Sequence, residues 1–435
     1  MGLKQIALGL ALLGCGAWAM GQTDGTGKVL RLSLSEAQQY AVEHNATMQN
    51  ADLDVQKAEL ARWKAVSSML PQVKAGFDYQ NMLGYEMVMG EGAMAFHIPM
   101  DPSGTFTVTA SVALTGAQVV GAMIQKISQQ MTDIAHRQSE QQIRSGVKNV
   151  YASILVMEQT VGLLDSSLAN LERLAATSQA SVEVGAAEQV DADKLQVQVA
   201  TLKNSINSTR RSLQALRGTM LLQLGADVDS QLELTTDVDN ILNLESAVQT
   251  LGQGFDITKN YNYQLLEQQE KLARKQVTMA WMNFTPTVSA YYSFNKKKYF
   301  GEEGMNMTPP NMVGASVSMP LFSSGSNTVA VKSAKIDLQE AVNSRRQAED
   351  AMRVQYNQLC YDLASALETY DIQSKNLEVT RRVFDNLTEK YKYGRASSLE
   401  VTNASTDIIT AQSNYIQAVM SVISAQIELE NLLNN

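Results

Sequence analysis

The sequence predicts a mainly helical fold with a small antiparallel β part, in which one unit is written twice. Three observations indicate this fold. All seven prolines lie in two windows, residues 71–102 and 286–320. The proline-free stretches after each window carry apolar residues at alternating steps of three and four, which is typical of packed helices. The windows themselves alternate apolar and polar residues, which is typical of strands.

The long helices are predicted from a 3.5-residue seam that recurs 209 positions later. Proline costs about 3 kcal/mol inside a helix, so a long stretch without it can stay helical. The seam in the second half consists of Tyr356, Leu359, Leu363, Ala366, Tyr370, Gln373, Leu377, Thr380, Phe384, Leu387 and Tyr391. The seam in the first half consists of Val147, Val150, Ile154, Met157, Val161, Leu164, Leu168, Leu171, Ala175, Ser178 and Val182. This shared register indicates an internal duplication.

Each long helix is followed by a return helix, and a glycine separates the two. Gly185 and Gly394 occupy these positions, where glycine can end a helix in the left-handed conformation. The second return helix carries a further partial stripe, formed by Ile409, Ile416, Val419 and Ile423. Two stripes predict two helical neighbours, as in a wall. The helices alone favour a simpler alternative, an antiparallel bundle.

Four strands are predicted within the proline windows, at residues 72–79, 105–114, 288–295 and 312–319. Each is apolar on one face and polar on the other, and each has about the length of a membrane barrel strand. Four strands cannot close a barrel around a pore, because small membrane barrels begin at about eight strands. Three copies would supply about twelve. A soluble sheet of two hairpins is the alternative.

The N-terminus is interpreted as a secretory signal peptide, residues 1–21. Lys4 precedes a short apolar segment, and cleavage is expected after Ala19 or Gly21. Lipidation of Cys15 is an alternative that stays open. The net charge of −9, with no basic stripe, argues against a nucleic-acid partner.

The predicted organisation therefore has four parts. The signal peptide is followed by a first repeat over 22–225, which consists of a helix, a β-hairpin at about 72–114 and a long helical hairpin with its tip at 185. A connecting equatorial segment spans 226–257. The second repeat spans 258–435 and consists of a helix, a β-hairpin at about 287–320 and a long helical hairpin with its tip at 394.

This ordered set of elements resembles the TolC-type outer-membrane efflux proteins. The residues that carry the resemblance are Leu34-Ser35-Glu36-Ala37, Met69-Leu70-Pro71-Gln72-Val73, and Met319-Pro320-Leu321-Phe322 with Gly325. The first repeat departs from the last of these, since it reads Ala113-Leu114-Thr115-Gly116. The likeness extends over nearly the whole mature chain.

The resemblance implies a homotrimer in the outer membrane of a Gram-negative bacterium. A twelve-stranded transmembrane β-barrel would continue into a twelve-helix periplasmic α-barrel. The expected function is the exit duct of a tripartite efflux or type I secretion system, which passively conducts substrates from an inner-membrane RND or ABC transporter and a periplasmic adaptor. The adaptor is expected to dock on the tips, formed by Val184, Gly185, Ala186, Tyr393, Gly394 and Arg395.

The resemblance also implies a gate at the periplasmic end. Asp191 and Glu400 match the family's acidic positions and would form like-charged rings around a threefold axis. Tyr391 matches a tip tyrosine, whereas Asn403 stands where relatives carry a second acid. At the position of the family's gate arginine this sequence has Ala396. Solvated charges at helix ends are the alternative interpretation of both acids.

No enzyme site or cofactor is predicted, because the three histidines lack partners at ligand spacing and no phosphate loop occurs. A weak copper-binding hypothesis rests on Met87, Met89, Met94 and His97, since thioethers favour Cu(I). A flexible apolar loop is the preferred interpretation. A periplasmic helical-hairpin scaffold or tether remains the alternative function.

Overall fold

The computed structural model describes residues 29–90, 92, 96–185, 187–300 and 309–434. The predicted signal peptide, including Cys15, lies outside this range. None of the helices within it combines the length and apolar character that a bilayer crossing demands.

Helices make up most of the described chain, which confirms the predicted mainly helical fold. They are α1 (Leu34–His44), α2 (Ala46–Ser67), α3 (Gly116–Glu183), α4 (Gln189–Leu224), α5 (Val238–Ile241), α6 (Leu244–Leu251), α7 (Tyr261–Met282), α8 (Ser326–Lys392) and α9 (Ser398–Leu433). The strands are β1 (Val29–Leu32), β2 (Gln72–Gln80), β3 (Glu86–Met89), β4 (Phe96–Pro99), β5 (Ser103–Leu114), β6 (Gln231–Leu234), β7 (Thr287–Tyr299) and β8 (Asn311–Ser318).

The main sheet has the order β2-β5-β7-β8, with every neighbouring pair antiparallel. Its strands coincide closely with the four stretches that alternate in the sequence. The residues between β2 and β5 form a separate hairpin, β3–β4, where the sequence analysis expects a loop.

The long helices form a single layer. Near the sheet, α3 contacts α2 and α7, and α7 contacts α8. Towards the tips, α3 contacts α4 and α9, and α9 contacts α8. The second stripe of α9 explains this order, because Val419 and Ile423 pack with the α3 and α4 core while Val422 and Leu429 pack with α8. The two predicted neighbours of α9 are confirmed.

The predicted seams are the buried faces of α3 and α8. Val147, Ile154 and Leu363 are fully buried, and no seam position of either helix is exposed. Burying a side chain of this size stabilises the fold by about 1.5–3 kcal/mol. The seams therefore supply the packing that holds one helix against the next.

An equatorial layer contains features that the sequence patterns do not predict. β1 and β6 pair in parallel, so the β part is not wholly antiparallel as predicted. The predicted first helix is two helices, because Asn45 ends α1 and caps α2. Gly225 lies against the His44 carbonyl in the left-handed conformation (φ +69°), where a side chain would clash.

Candidate functional site

The two faces of the main sheet differ in chemistry. On one face, Thr107 donates to Asn295 over 3.0 Å and Ser289 bonds Ser316 over 2.7 Å. On the other face, Val73, Phe77, Tyr79, Tyr292, Phe294, Val313 and Val317 are exposed. The apolar face is called the outward face below. A solvated sheet normally exposes its polar face and buries the apolar one.

Both edges of this sheet are open. Within the described residues, β2 pairs only with β5 and β8 pairs only with β7. All nine residues of β2 are exposed, as are all but one of β8. Long open edges with apolar side chains template further strand pairing, so soluble proteins usually cover or charge them.

The outer edge of the helical layer is likewise uncovered. Away from its contacts with α9 and α7, α8 carries exposed apolar residues with several seven-residue spacings. They are Val329, Ile336, Val354, Tyr361, Ile372, Val379 and Val383. An apolar stripe along a helix is normally buried against another element, so this stripe marks an unfilled contact.

The two glycine tips lie at the same end of the layer. Leu174 of α3 packs with Phe384 of α8 and Val401 of α9 close to that end, which joins the two hairpins. Gly185 and Gly394 adopt the left-handed conformation, with φ +76° and +66°.

The neighbours of the tip glycines are well exposed. Val184 is 80% exposed and Tyr393 is 71% exposed. Arg395 is also exposed, and its backbone N–H closes the turn on Lys390 over 2.9 Å. Ala186 lies outside the described residues. The tips thus present apolar and cationic surface beyond the ends of the helices.

The two predicted gate acids occupy the same position in their helices, the third residue, but in different surroundings. Glu400 accepts from the Ser397 backbone N–H at 2.7 Å and from its hydroxyl at 2.9 Å, which forms a capping box. These two bonds hold the pKa of Glu400 below its usual value. Among the described residues the Asp191 carboxylate pairs with Lys194 alone, at 3.8 Å, and the α4 N-cap, Glu188, makes no capping bond. Each carboxylate also complements the positive end of its helix dipole.

The two remaining predicted gate residues differ in how far their side chains are exposed. Tyr391 is half-buried and packs against the apolar cluster beneath the tips, whereas Asn403 is exposed. Within one protomer the structure therefore assembles no closed gate from these residues.

The methionine-rich segment is mostly strand. Met87 and Met89 lie on one face of β3, and His97 lies in β4, opposite Val88. Met94 lies outside the described residues. Across the described parts of the chain, no cluster of three His, Cys, Asp or Glu side chains is placed to hold a metal ion.

Sequence comparison places the second half of the chain in a known family. Residues 260–435, from the start of α7 onwards, match the outer membrane efflux protein family. These residues are an outer membrane efflux protein domain. The resemblance drawn from the sequence is therefore confirmed. The domain contains α7, β7, β8, α8 and α9, and hence one glycine tip and one open sheet edge.

A curated relative of the efflux domain extends the likeness beyond it. The outer membrane efflux protein BepC of Brucella suis biovar 1 (strain 1330) is 20% identical over 303 residues. The alignment covers 68% of this chain and 64% of BepC, which is less than two thirds of that protein.

Solved structures match nearly the whole described fold. The outer membrane protein VceC of Vibrio cholerae superposes with a TM-score of 0.75 at 14% identity, covering 92% of this chain and 96% of VceC. CusC, described as forming a transmembrane channel, superposes with a TM-score of 0.76 at 15% identity, covering 92% of this chain and 91% of CusC. The CmeC outer membrane channel of Campylobacter jejuni superposes with a TM-score of 0.74 at 12% identity, covering 92% of this chain and 85% of CmeC. The fold is that of outer-membrane channel proteins.

Proposed function

We propose that this protein is the outer-membrane exit duct of an efflux or secretion system and that three copies form the duct. The observation that carries the proposal is the incomplete sheet, with four strands, two open edges and an apolar outward face. An unpaired backbone group in hydrocarbon costs several kcal/mol, so a sheet in a bilayer has to close. Copies of the chain can close it, because β8 of one copy and β2 of the next run antiparallel.

The internal duplication suits this assembly. Two similar units in each of three copies would give a ring of about twelve strands above a ring of about twelve long helices. The exposed stripe of α8 would then pack against the other open edge of the next copy, which is α2 near the sheet and α4 towards the tips. The polar face of the sheet, with Thr107, Asn295 and Ser289, would line a wet passage.

The tips suit a partner protein at the periplasmic end. We expect a periplasmic adaptor to dock on Val184, Gly185, Tyr393, Gly394 and Arg395, and an inner-membrane RND or ABC transporter to supply the energy. The duct itself would conduct passively. The alternative, a periplasmic scaffold without channel activity, gives no reason for the apolar outward face.

Cysteine crosslinking tests the closure. In a Cys360→Ser background, Ala75→Cys on β2 is combined in turn with Val313→Cys, Ala315→Cys or Val317→Cys on β8. All four positions lie on the outward face. We expect one pairing to give crosslinked dimers and trimers in isolated outer membranes.

The control combines Ala75→Cys with Ala290→Cys, which lies in the interior strand β7. This pair is expected to stay uncrosslinked between copies. If all three edge pairs behave like the control, the proposed closure is wrong. Recovery of the protein in the soluble periplasmic fraction would support the scaffold instead.

A further inference from the structure

The outward face of the sheet ends in a belt of aromatic rings. In the register of the sheet, Phe77 pairs with Phe106, and Phe106 pairs with Lys296. Residues that pair directly lie on the same face, so two rings and one ammonium group form a row across three strands. β7 starts close to the end of α7, so this row lies at the end of the sheet that is remote from the helices.

The next row on the outward face, further from the helices, again has an aromatic ring on β2 and a lysine on β7. Tyr79 pairs with Gly104, and Gly104 pairs with Lys298. Gly104 forms the floor of the belt, because a Cβ there would come within 2.9 Å of Phe77 and 3.3 Å of Phe300. The rings of Tyr79 and Phe300 meet above it, with centroids 5.9 Å apart. The missing side chain at Gly104 thus leaves the space that the Phe77 and Phe300 rings occupy.

Lys296 and Lys298 carry the only charges on the outward face of these four strands. Both are exposed, and neither has an ion-pair partner among the described residues. Lys297, between them, points to the opposite face. It lies over the Tyr299 ring at 4.7 Å, in the same row as Asp78. On the apolar face, in contrast, no residue of these four strands supplies a carboxylate beside Lys296 and Lys298.

We propose that Lys296 and Lys298, beside the aromatic belt, bind the phosphate groups of membrane lipids. This inference rests on the proposed function, which puts the outward face in the bilayer. Aromatic rings collect at the level of the lipid headgroups. A lysine just beyond an apolar band buries its stem there and extends its ammonium to the same level, where lipid phosphates lie.

Lipid retention by the purified complex tests the site. The full chain in detergent is incubated with bisphosphorylated lipid A or with phosphatidylcholine, whose single phosphate is balanced by choline, and bound lipid is counted by native mass spectrometry. We expect preferential retention of lipid A. The double variant Lys296→Gln with Lys298→Gln should lower that retention roughly tenfold, as the loss of two cations near anionic headgroups implies.

Lys297→Gln is the matched control, because it removes the same charge from the other face. It should retain lipid A like the wild type, and a large excess of inorganic phosphate should not displace the lipid. Equal retention by the double variant and the wild type, or an equal loss in the control, would overturn the proposal. The subunit mass and outer-membrane recovery of the double variant report on the duct separately, and both should be unchanged.

Discussion

The two helical hairpins have the same architecture but different polar ties. α3 and α8 contain 68 and 67 residues, and α4 and α9 contain 36 each. Their apolar seams correspond position by position, whereas the polar side chains next to the seams do not. Helix packing here depends on the seam, which both hairpins share. The polar groups adapt each hairpin to the particular elements that it contacts.

The equatorial contacts show this difference first. Tyr151 of α3 is fully buried, its hydroxyl donates to the Leu32 carbonyl over 3.0 Å, and it accepts from the Thr236 N–H over 3.0 Å. It ties α3 to the β1–β6 layer. The residue 209 positions later is Cys360, which is half-buried in α8.

A second difference between the two hairpins lies in the ion pairs that join each long helix to the shorter helix beside it. Arg345 of α8 binds Glu270 of α7 at 2.7 Å, and Arg274 binds the same carboxylate at 2.6 Å. The position 209 residues earlier in α3 is His136, which contacts Asp52 of α2 at 2.7 Å. That contact is an ion pair only while the imidazole is protonated, and the Asp52 side chain is 57% exposed.

The largest expected effect comes from the equatorial tyrosine. Tyr151→Ala should lower the free energy of unfolding by about 4 kcal/mol, because it leaves a large cavity and takes away the hydroxyl that accepts from the Thr236 N–H. Cys360→Ala should cost about 1 kcal/mol or less. Thermal unfolding of the detergent-solubilised protein, followed by circular dichroism, measures both. Equal shifts in Tm would show that the two hairpins are held alike.

Arg345→Ala should have the next largest effect. It removes one of two cations from a carboxylate that is only 11% exposed, at a cost of about 2 kcal/mol. His136→Ala should cost clearly less, because its partner is solvated. The same unfolding measurement compares them, and a larger loss from the histidine variant would contradict this account.

The contribution of Glu270 should also depend on pH. Hydrogen bonds from Arg274 and then Arg345 lower the pKa of the Glu270 carboxyl in the folded protein. Its stabilisation is therefore complete above the ordinary carboxyl pKa and is lost as the pH falls through the lowered value. Glu270→Gln should be destabilised at neutral pH, and the gap from wild type should narrow in acid. A gap that stays constant down to pH values below the ordinary carboxyl range would refute the assignment.

The helix caps at the tips should give a smaller effect. Ser397→Ala removes the capping bonds of α9 and should cost about 1 kcal/mol. Glu188→Ala, at the matching position of α4, removes no capping bond and should leave the stability nearly unchanged. Hydrogen exchange of the amides in the first turns of α4 and α9 locates the change. If the serine substitution speeds exchange in α4 relative to the wild type and leaves α9 unchanged, the assigned role of the Ser397 cap is wrong.

Neutralising the two acids beside the tips should have the smallest effect on the fold. Its effect is measured instead as the ion selectivity of the channel. Asp191→Asn with Glu400→Gln should weaken cation selectivity in planar bilayers, by about twofold, because two rings of like charge are removed from the proposed passage. Glu43→Gln, an exposed acid in α1, is the control and should leave selectivity unchanged. Unchanged selectivity in the double variant would remove the acidic-ring hypothesis.

Much of the fold can be predicted because its long elements carry strong periodic signals. Leu171 and Leu363 are buried where the seam predicts, and the β7 residues alternate as expected. The parallel pairing of β1 with β6 cannot be predicted in this way. Each strand has only four residues, and about 200 residues separate the two. The bonds of Tyr151 depend on that same pairing, so the seam identifies the residue but not its hydroxyl contacts.

The candidate site is less predictable than the fold. Glycine placement indicates both tips, since the left-handed conformation is a local property of the chain. The capping box makes Glu400 a structural residue as well as a candidate gate residue, whereas its distance from the tip glycine does not distinguish it from Asp191. What the tips bind depends on a partner's surface, which this sequence does not contain.

The central claim is that one chain supplies part of a closed cylinder. The most direct test is the subunit mass of the protein, extracted from outer membranes in mild detergent, by light scattering coupled to size-exclusion chromatography. We predict three chains in each complex after the detergent mass is subtracted. A stable species of one chain would contradict the account, because both sheet edges would then be open within the bilayer.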